Sequence, residues 1–460
     1  MTKTASLLLF APALLLAQAQ TPVRLLAFTH VTVIDATGAP AQSDMTVVVA
    51  GDHITELGKK VGVPAQAQIV DATGKFLIPG LWDMHAHIHR AEDLALFLAN
   101  GVTGLRIMGY LPEVGKMRSR IQSGEMMGPR MAIGSRLIDG VADPGQPAGS
   151  MHPGESEAAE EWAEVMKGGR PRSVIARNEA EGRQAVIDAK QAGAEFIKVH
   201  EGLSREAYFA IASESKKQGV PFVGHVPAMV SVIEASDAGQ KSIEHLQGIL
   251  AVCTSREGDS QKLSEEKTAD MIEHFQRNHT WHCPTLTSRY GTRERAMHSE
   301  PALGYISAQM RARWQRALNA APEPGPEQQA RARMLDQELI QIVGMMHRAG
   351  IQFLAGTDVG GAFLVPGFSM HDELDELVQA GFTPMEAIQA ATRAPARFMG
   401  REKELGTIQK GKLADLVLLD ANPLDNIANA RKINAVVVNG RLLDRKALDA
   451  SLAQVEAASK

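Results

Sequence analysis

His85 and His87 stand two residues apart in Asp83-Met84-His85-Ala86-His87, directly after the apolar run that Leu81-Trp82 begins. Side chains alternate along a β-strand, so both imidazoles face one way while Met84 and Ala86 face the other. Two neutral imidazoles on one face make a metal-binding pair. One His-x-His arises readily by chance among 15 histidines, so the case depends on what else the chain supplies. Lys198, in Phe196-Ile197-Lys198-Val199, is a charge inside an apolar run, and a buried ammonium needs compensation. In a water-poor pocket it tends toward the neutral amine, which can add to carbon dioxide and release a proton to give a carbamate. The two oxygens of that anion can bridge two cations. An ordinary ion pair with Glu201 or Asp358 would also compensate the charge.

His225 (Val223-Gly224-His225-Val226), His245 (Ile243-Glu244-His245-Leu246) and Asp358 (Ala355-Gly356-Thr357-Asp358) each end an apolar run. Singly they read as two core histidines and a turn aspartate. Together with His85, His87 and Lys198 they form a set whose members are all metal ligands or can become so.

Eight short apolar runs would carry these residues: 81–87, 102–108, 130–134, 196–200, 221–225, 242–245, 280–286 and 352–358. Helix-like stretches separate them, such as 178–192 and 205–217, the latter behind Ser204 as N-cap. That alternation is the pattern of a parallel α/β array, and eight strands are what a closed barrel requires. In such barrels the site lies at the C-terminal ends of the strands, where all six residues fall. Segments 25–70 and 406–440 read instead as short strands with turns, too few at either end to be stable alone. The expected architecture is therefore α/β: a (β/α)8 TIM barrel over 80–400, with a small discontinuous β-sandwich domain built from both chain ends, 20–79 and 401–460. Thr383-Pro384 starts a helix expected to run toward Phe398. Two long intervals, 135–177 and 287–345, exceed what barrel loops need and are expected to carry function or cover the site.

Residues 1–19 read as a signal peptide, with Lys3, an apolar core over 7–16 and the small-x-small site Ala17-Gln18-Ala19. A periplasmic or secreted protein follows, with no membrane anchor once the signal is removed. Cys253 and Cys283 would then meet an oxidising compartment, where they could pair or remain two separate buried thiols. Lys+Arg 48 against Asp+Glu 53 leaves −5, which offers no basic surface for nucleic acid. The expected partner is a small-molecule amide substrate, and the chain is expected to assemble as a homo-oligomer.

The constellation resembles the amidohydrolase superfamily: His-x-His on strand one, Lys on strand four, His on strands five and six, Asp on strand eight. The segments around Pro79-Gly80-Leu81-Trp82-Asp83-Met84-His85-Ala86-His87, Gly101-Val102-Thr103-Gly104-Leu105-Arg106 and Gly411-Lys412-Leu413-Ala414-Asp415 are also similar to its recurring frame. Within it the chain looks most like the imidazolonepropionase-like and Xaa-Pro or Xaa-Arg dipeptidase branch, which includes ochratoxin-hydrolysing amidases. The resemblance implies two divalent metal ions, Zn2+ by expectation, bridged by carboxylated Lys198, with Asp358 as both ligand and catalytic proton shuttle. His85, His87, Lys198 and Asp358 would hold one ion; Lys198, His225 and His245 would hold the other. The implied reaction is hydrolysis of amide bonds in dipeptides or N-acyl amino acids, including ochratoxin-like amides, by a metal-activated water. Alternatives are hydrolysis of esters, lactones or phosphotriesters, a mononuclear imidazolonepropionase-like enzyme, and an exported binding protein without turnover. His200 stands where relatives often carry Tyr. Arg136, His152, His200 and Arg289 lie near the strand ends and are the candidates for gripping a substrate carboxylate.

Overall fold

The structure, a computed structural model, describes residues 24–88, 90–140, 173–257, 260–289, 292–320, 323 and 325–460. The expected signal segment 1–19 and His152 lie outside the described residues. Five strands open the described chain: β1 (Leu25–Val33), β2 (Gln42–Ala50), β3 (His53–Gly58), β4 (Gln68–Asp71) and β5 (Phe76–Pro79). The middle supplies β6 (Leu81–Ala86), β7 (Val102–Ile107), β8 (Arg130–Ile133), β9 (Leu137–Asp139), β10 (Ser173–Ile175), β11 (Ile197–Val199), β12 (Phe222–Gly224) and β13 (Ser242–Glu244). The hairpin β14 (Thr254–Glu257) and β15 (Ser260–Leu263), then β16 (Trp281–Cys283) and β17 (Gln352–Phe353), complete it. The chain ends with β18 (Leu416–Leu419), β19 (Ile433–Val438) and β20 (Arg441–Asp444).

All eight apolar runs become strands of a parallel array. One parallel sheet is ordered β6-β7-β8 and another β10-β9-β11-β12-β13-β16-β17. Glu195 N to Ile133 O at 3.1 Å and Ser135 N to Phe196 O at 2.8 Å join the first to the second. Met84 N to Ala355 O at 2.9 Å and Asp358 N to His85 O at 2.8 Å return from the last strand to β6. This order is consistent with an eight-stranded barrel. Every residue of β6 and β7 is buried, which is why these strands read as mainly apolar runs and why a charge inside one is informative.

Both chain ends meet in one mixed sheet, ordered β20-β19-β18-β5-β1-β2-β3 with β4 also on β1. The strands hydrogen-bond as a single sheet rather than the two expected of a sandwich. Alternation sends Leu77, Leu416, Leu418 and Val437 into a core of their own with Phe28, Val47 and Ile54. The intervening Ile78, Val417, Leu419 and Val436 join the main core shared with the parallel strands, so the sheet is fastened to that body through its other face.

Two other expectations change. The helix expected from 384 toward 398 is two, Pro384–Ala390 and Arg393–Phe398. Pro395 has no amide hydrogen and its ring displaces the carbonyl four residues back, which forces the break. The strand expected over 280–286 ends at Cys283, because Pro284 and Thr285, the latter at φ 45°, turn the chain into a 3-10 segment Leu286–Ser288. Cys253 and Cys283 are separate buried thiols, with Cys253 Sγ 3.6 Å from Met271 Sδ. The described residues of the interval 287–345 include helices Thr292–Ser299 and Ala308–Ala320, the 3-10 segment Glu300–Tyr305 and most of the helix Pro326–Arg348. A helix over Arg445–Ala458, capped by Asp444, closes the chain. Among the described residues no helix is long and apolar enough to cross a membrane.

Candidate metal centre

Five of the six sequence-selected residues lie in or just past β6, β11, β12 and β13; β17 stops at Phe353, short of the strand expected to reach 358, and Asp358 lies five residues beyond it. His85 Nε2 lies 3.3 Å from Asp358 Oδ1, and His87 Nε2 lies 3.4 Å from the same oxygen. The His245 ring centroid is 4.5 Å from that of His85 and 4.8 Å from that of His225. Lys198, buried on β11, is in register with Val223 of β12, two residues before His225. Burial and then the Lys198 charge hold the His85 and His225 rings well below the ordinary imidazole range, so both are neutral lone-pair donors. Burial pushes the Asp358 carboxyl up, but His245, His85 and a hydrogen bond from His87 outweigh it and keep it ionised.

The donor set fits divalent cations. The ligand atoms of His85, His245 and Asp358 lie within 4.8 Å of one another. His225 Nδ1 is buried and has no hydrogen-bond partner among the described residues, an arrangement costing about 1–3 kcal/mol unless something receives its lone pair. The backbone is also strained here: His245 and Asp358 both sit at φ 61°, a left-handed conformation worth roughly 1–3 kcal/mol per residue that is concentrated at functional sites. A second close set, His85, Glu244 and Cys283, is not a cation site. Its carboxylate is already occupied by Arg106, and burial pushes the Cys283 thiol up so that it stays protonated.

A buried polar frame orients the ligands. Glu244 Oε2 receives His85 Nδ1 at 2.9 Å, and Arg106 Nη2 reaches Glu244 Oε1 and Oε2 at 3.0 and 2.8 Å. Arg106 Nη1 donates to Ser242 Oγ at 3.0 Å and its Nε to Met84 O. With Nδ1 thus engaged, His85 is left to coordinate through Nε2. His245 is fixed in the same way by Thr285 Oγ1, 2.7 Å from its Nδ1. Asp83 accepts from His85 N and Thr357 N, both at 3.1 Å, and from Thr357 Oγ1 at 2.6 Å, which ties β6 to the strand end bearing Asp358. Gly224, at φ 127°, leaves room for the lysine: a Cβ there would stand 2.3 Å from Val199 O and 3.0 Å from Lys198 Cδ. Sequence reasoning passed over Asp83, Arg106 and Glu244. The signal was present, because each is a charge inside an apolar strand, the same argument that selected Lys198.

A family model described as "Amidohydrolase family" matches residues 76–443. The chain belongs to that family. Among solved structures it is similar to a bottromycin amidohydrolase, 25% identical with a TM-score of 0.73, over 96% of this chain and 91% of that one. A Xaa-Pro dipeptidase with bound methionine in the active site aligns at 20% identity and TM-score 0.66, over 91% of this chain and all (100%) of the other. The ochratoxinase of A. niger aligns at 21% and 0.65, over 92% and 96%; these two likenesses bear on the fold. An imidazolonepropionase of Shouchella clausii is 33% identical over 117 residues, 22% of this chain and 25% of that protein. A dihydroorotase of Geotalea daltonii is 52% identical over 42 residues, 9% of this chain and 10% of that protein.

Of the cations expected to grip substrate in this amidohydrolase, the three that lie among the described residues are engaged within the protein. Arg289 Nη1 donates to Glu376 Oε2 at 2.7 Å and to Leu286 O at 3.1 Å. Arg136 Nη2 donates to Ser173 O at 3.1 Å. The His200 ring stacks on His225 at 4.3 Å with its Nδ1 3.0 Å from Asp139 Oδ2, so it braces a candidate ligand. That contact, working against burial, raises the affinity of His200 for its proton. A groove of about 540 Å³ that includes Arg118, Arg130 and Arg441 lies elsewhere, lined by none of the six ligands.

Proposed function

We propose that this amidohydrolase is a divalent-metal-dependent hydrolase of amide bonds in dipeptides or N-acyl amino acids, working from a (β/α)8 barrel over 80–400 that the terminal sheet braces. We further propose that it is exported, on the character of residues 1–19. The observation that carries the catalytic reading is the convergence of His85 Nε2 and His87 Nε2 on one Asp358 oxygen, together with the buried Nδ1 of His225, which has no hydrogen-bond partner among the described residues. The dipeptidase and amidase neighbours support the choice of bond.

His85, His87, Asp358 and Lys198 would hold one cation, and Lys198, His225 and His245 the other. Lys198 would serve both as the carbamate formed from its neutral amine and carbon dioxide, with loss of a proton. When bound, two cations such as zinc would polarise the amide carbonyl and make a water nucleophilic near neutral pH. Asp358 takes the proton from that water as its oxygen adds to the carbonyl carbon. It then delivers the proton to the departing amine nitrogen as the C–N bond breaks. The Glu244–Arg106 pair and Thr285 hold His85 and His245 in fixed tautomers throughout.

The test is metal analysis of protein purified without chelator, joined to a panel of dipeptides, N-acyl amino acids, esters and lactones followed by product release. Two equivalents of metal and amine release are expected, with Lys198→Ala losing one equivalent and most activity. A single equivalent with Lys198→Ala fully active would overturn the binuclear centre. Turnover confined to esters or lactones would overturn the amide reading.

A further inference from the structure

Beside the metal centre lies a recess that neither the ligand set nor the sequence accounts for. His87 and Val359, the residue after Asp358, are part of its lining, so it adjoins the candidate ligands. Its walls are Ile306, Met310 and Trp314, from the long interval before β17, and Leu364, from the loop after it. Trp314 and Ile306 are buried with Phe363 and Val365 in a small apolar cluster separate from the main core, and the Trp314 and Phe363 ring centres lie 5.1 Å apart. The interval therefore folds a greasy wall of its own against the site.

We infer that this recess is the specificity pocket for a small aliphatic group next to the scissile amide, of the size of a proline, alanine or valine side chain, and that Trp314 and Leu364 set its limit. The inference rests on the amide reading above. Its free volume is about 40 Å³. A water-sized group needs roughly 10–15 Å³ on the same measure, so there is space for about three such groups and none for a phenyl ring. Apart from Ser307 and the charged Arg90 and Asp93, the walls are mainly aliphatic or aromatic, and burying a CH2 against them is favourable by the ordinary transfer argument. At the rim, Arg90 and Asp93 carry opposite charges that act on one another. Arg90 Nε also lies 3.4 Å from Glu92 Oε2, so that guanidinium is already engaged by carboxylates, and size and apolarity do the selecting in the recess.

Two measurements test this on the zinc-loaded full-length protein. The first titrates L-valine, L-phenylalanine and L-aspartate while following tryptophan emission, since an occupant would touch Trp314. Valine should change the emission with saturation, the other two should need at least about tenfold higher concentration, and Trp314→Phe should remove most of the signal. The second compares kcat/KM for Gly-Xaa and Xaa-Gly dipeptides with Xaa as Ala, Val, Leu and Phe. One series should fall about tenfold or more from Val to Phe, and Leu364→Ala should reduce that ratio to under about threefold by opening the recess. Met310→Ala, at a half-buried position, repeats the test should Leu364→Ala fold poorly. Dipeptide turnover with no size preference in either series would overturn the pocket and leave the amide reading standing. No turnover of any amide, with valine still selected over phenylalanine at Trp314, would overturn the amide reading and keep the pocket. Equal responses of Trp314 to valine, phenylalanine and aspartate would overturn the pocket outright.

Discussion

His85 Nδ1 lies 2.9 Å from Glu244 Oε2, and both side chains are buried to within 1% of full exclusion from solvent. The contact decides which nitrogen of His85 is free for a cation. It also links β6 to β13 beneath the site, and Arg106 on β7 completes the link by gripping both oxygens of the same carboxylate. An unpaired carboxylate at that depth would be several kcal/mol too costly, so Arg106 and Glu244 must be read as one unit.

The first prediction concerns that unit. Glu244→Gln keeps an acceptor oxygen for His85 but leaves the Arg106 guanidinium without its counter-charge. Zinc affinity should weaken by about 10–100-fold in competition with a chelator, and the melting temperature should fall. Unchanged zinc affinity would remove Glu244 from the support of the centre.

Asp358→Asn separates chemistry from fold. Asp358 sits at φ 61°, which Asn adopts more readily than most residues, so the backbone is preserved. Asn cannot carry a proton between water and amine. The expected result is a loss of about 10³-fold or more in kcat with a melting temperature within a few degrees of wild type. Retention of most of kcat would take Asp358 out of proton transfer.

What the sequence disclosed and what it hid divide along a physical line. Parallel strands buried on both faces are written as continuous apolar runs, so all eight stood out, and a His, Lys or Asp at the end of one was conspicuous. Asp83, Arg106 and Glu244 lie inside their runs, where their meaning depends on which neighbouring strand faces them. Strand order and register fix that, and neither can be read from one strand. The broken helix at Pro395 was legible in principle, since proline removes a donor wherever it falls. The recess around Trp314 was not, because helices such as Ala308–Ala320 show an apolar stripe whatever they cover.

The last prediction is a pH dependence seated on a carboxyl that is none of the six candidate ligands. Glu373, on the helix Phe368–Gln379, is fully buried, and its Oε2 accepts from Thr287 N at 2.9 Å. Burial pushes its carboxyl up from 4.5 to about 8, against the downward pull of the Thr287 and Leu286 amides. Between those two values the folded chain holds a proton that the unfolded chain has released. Stability from this group is therefore present in full below about 4.5 and is lost progressively as pH rises to 8, by up to about 1.4 kcal/mol per pH unit. Burial also pushes Asp83 up to about 7, and Glu376 and Asp83 add to the rise at Glu373, so the variant removes that coupling together with the Glu373 charge. Glu373→Gln fixes the site in a neutral form that still accepts from Thr287. Melting temperatures of the two zinc-loaded proteins, measured from pH 5 to 8.5, should diverge in the variant's favour as pH rises and run parallel above about 8. Curves that stay parallel across the whole range would show that Glu373 ionises in the folded protein without penalty, and its burial would then have to be compensated by a contact outside the described residues.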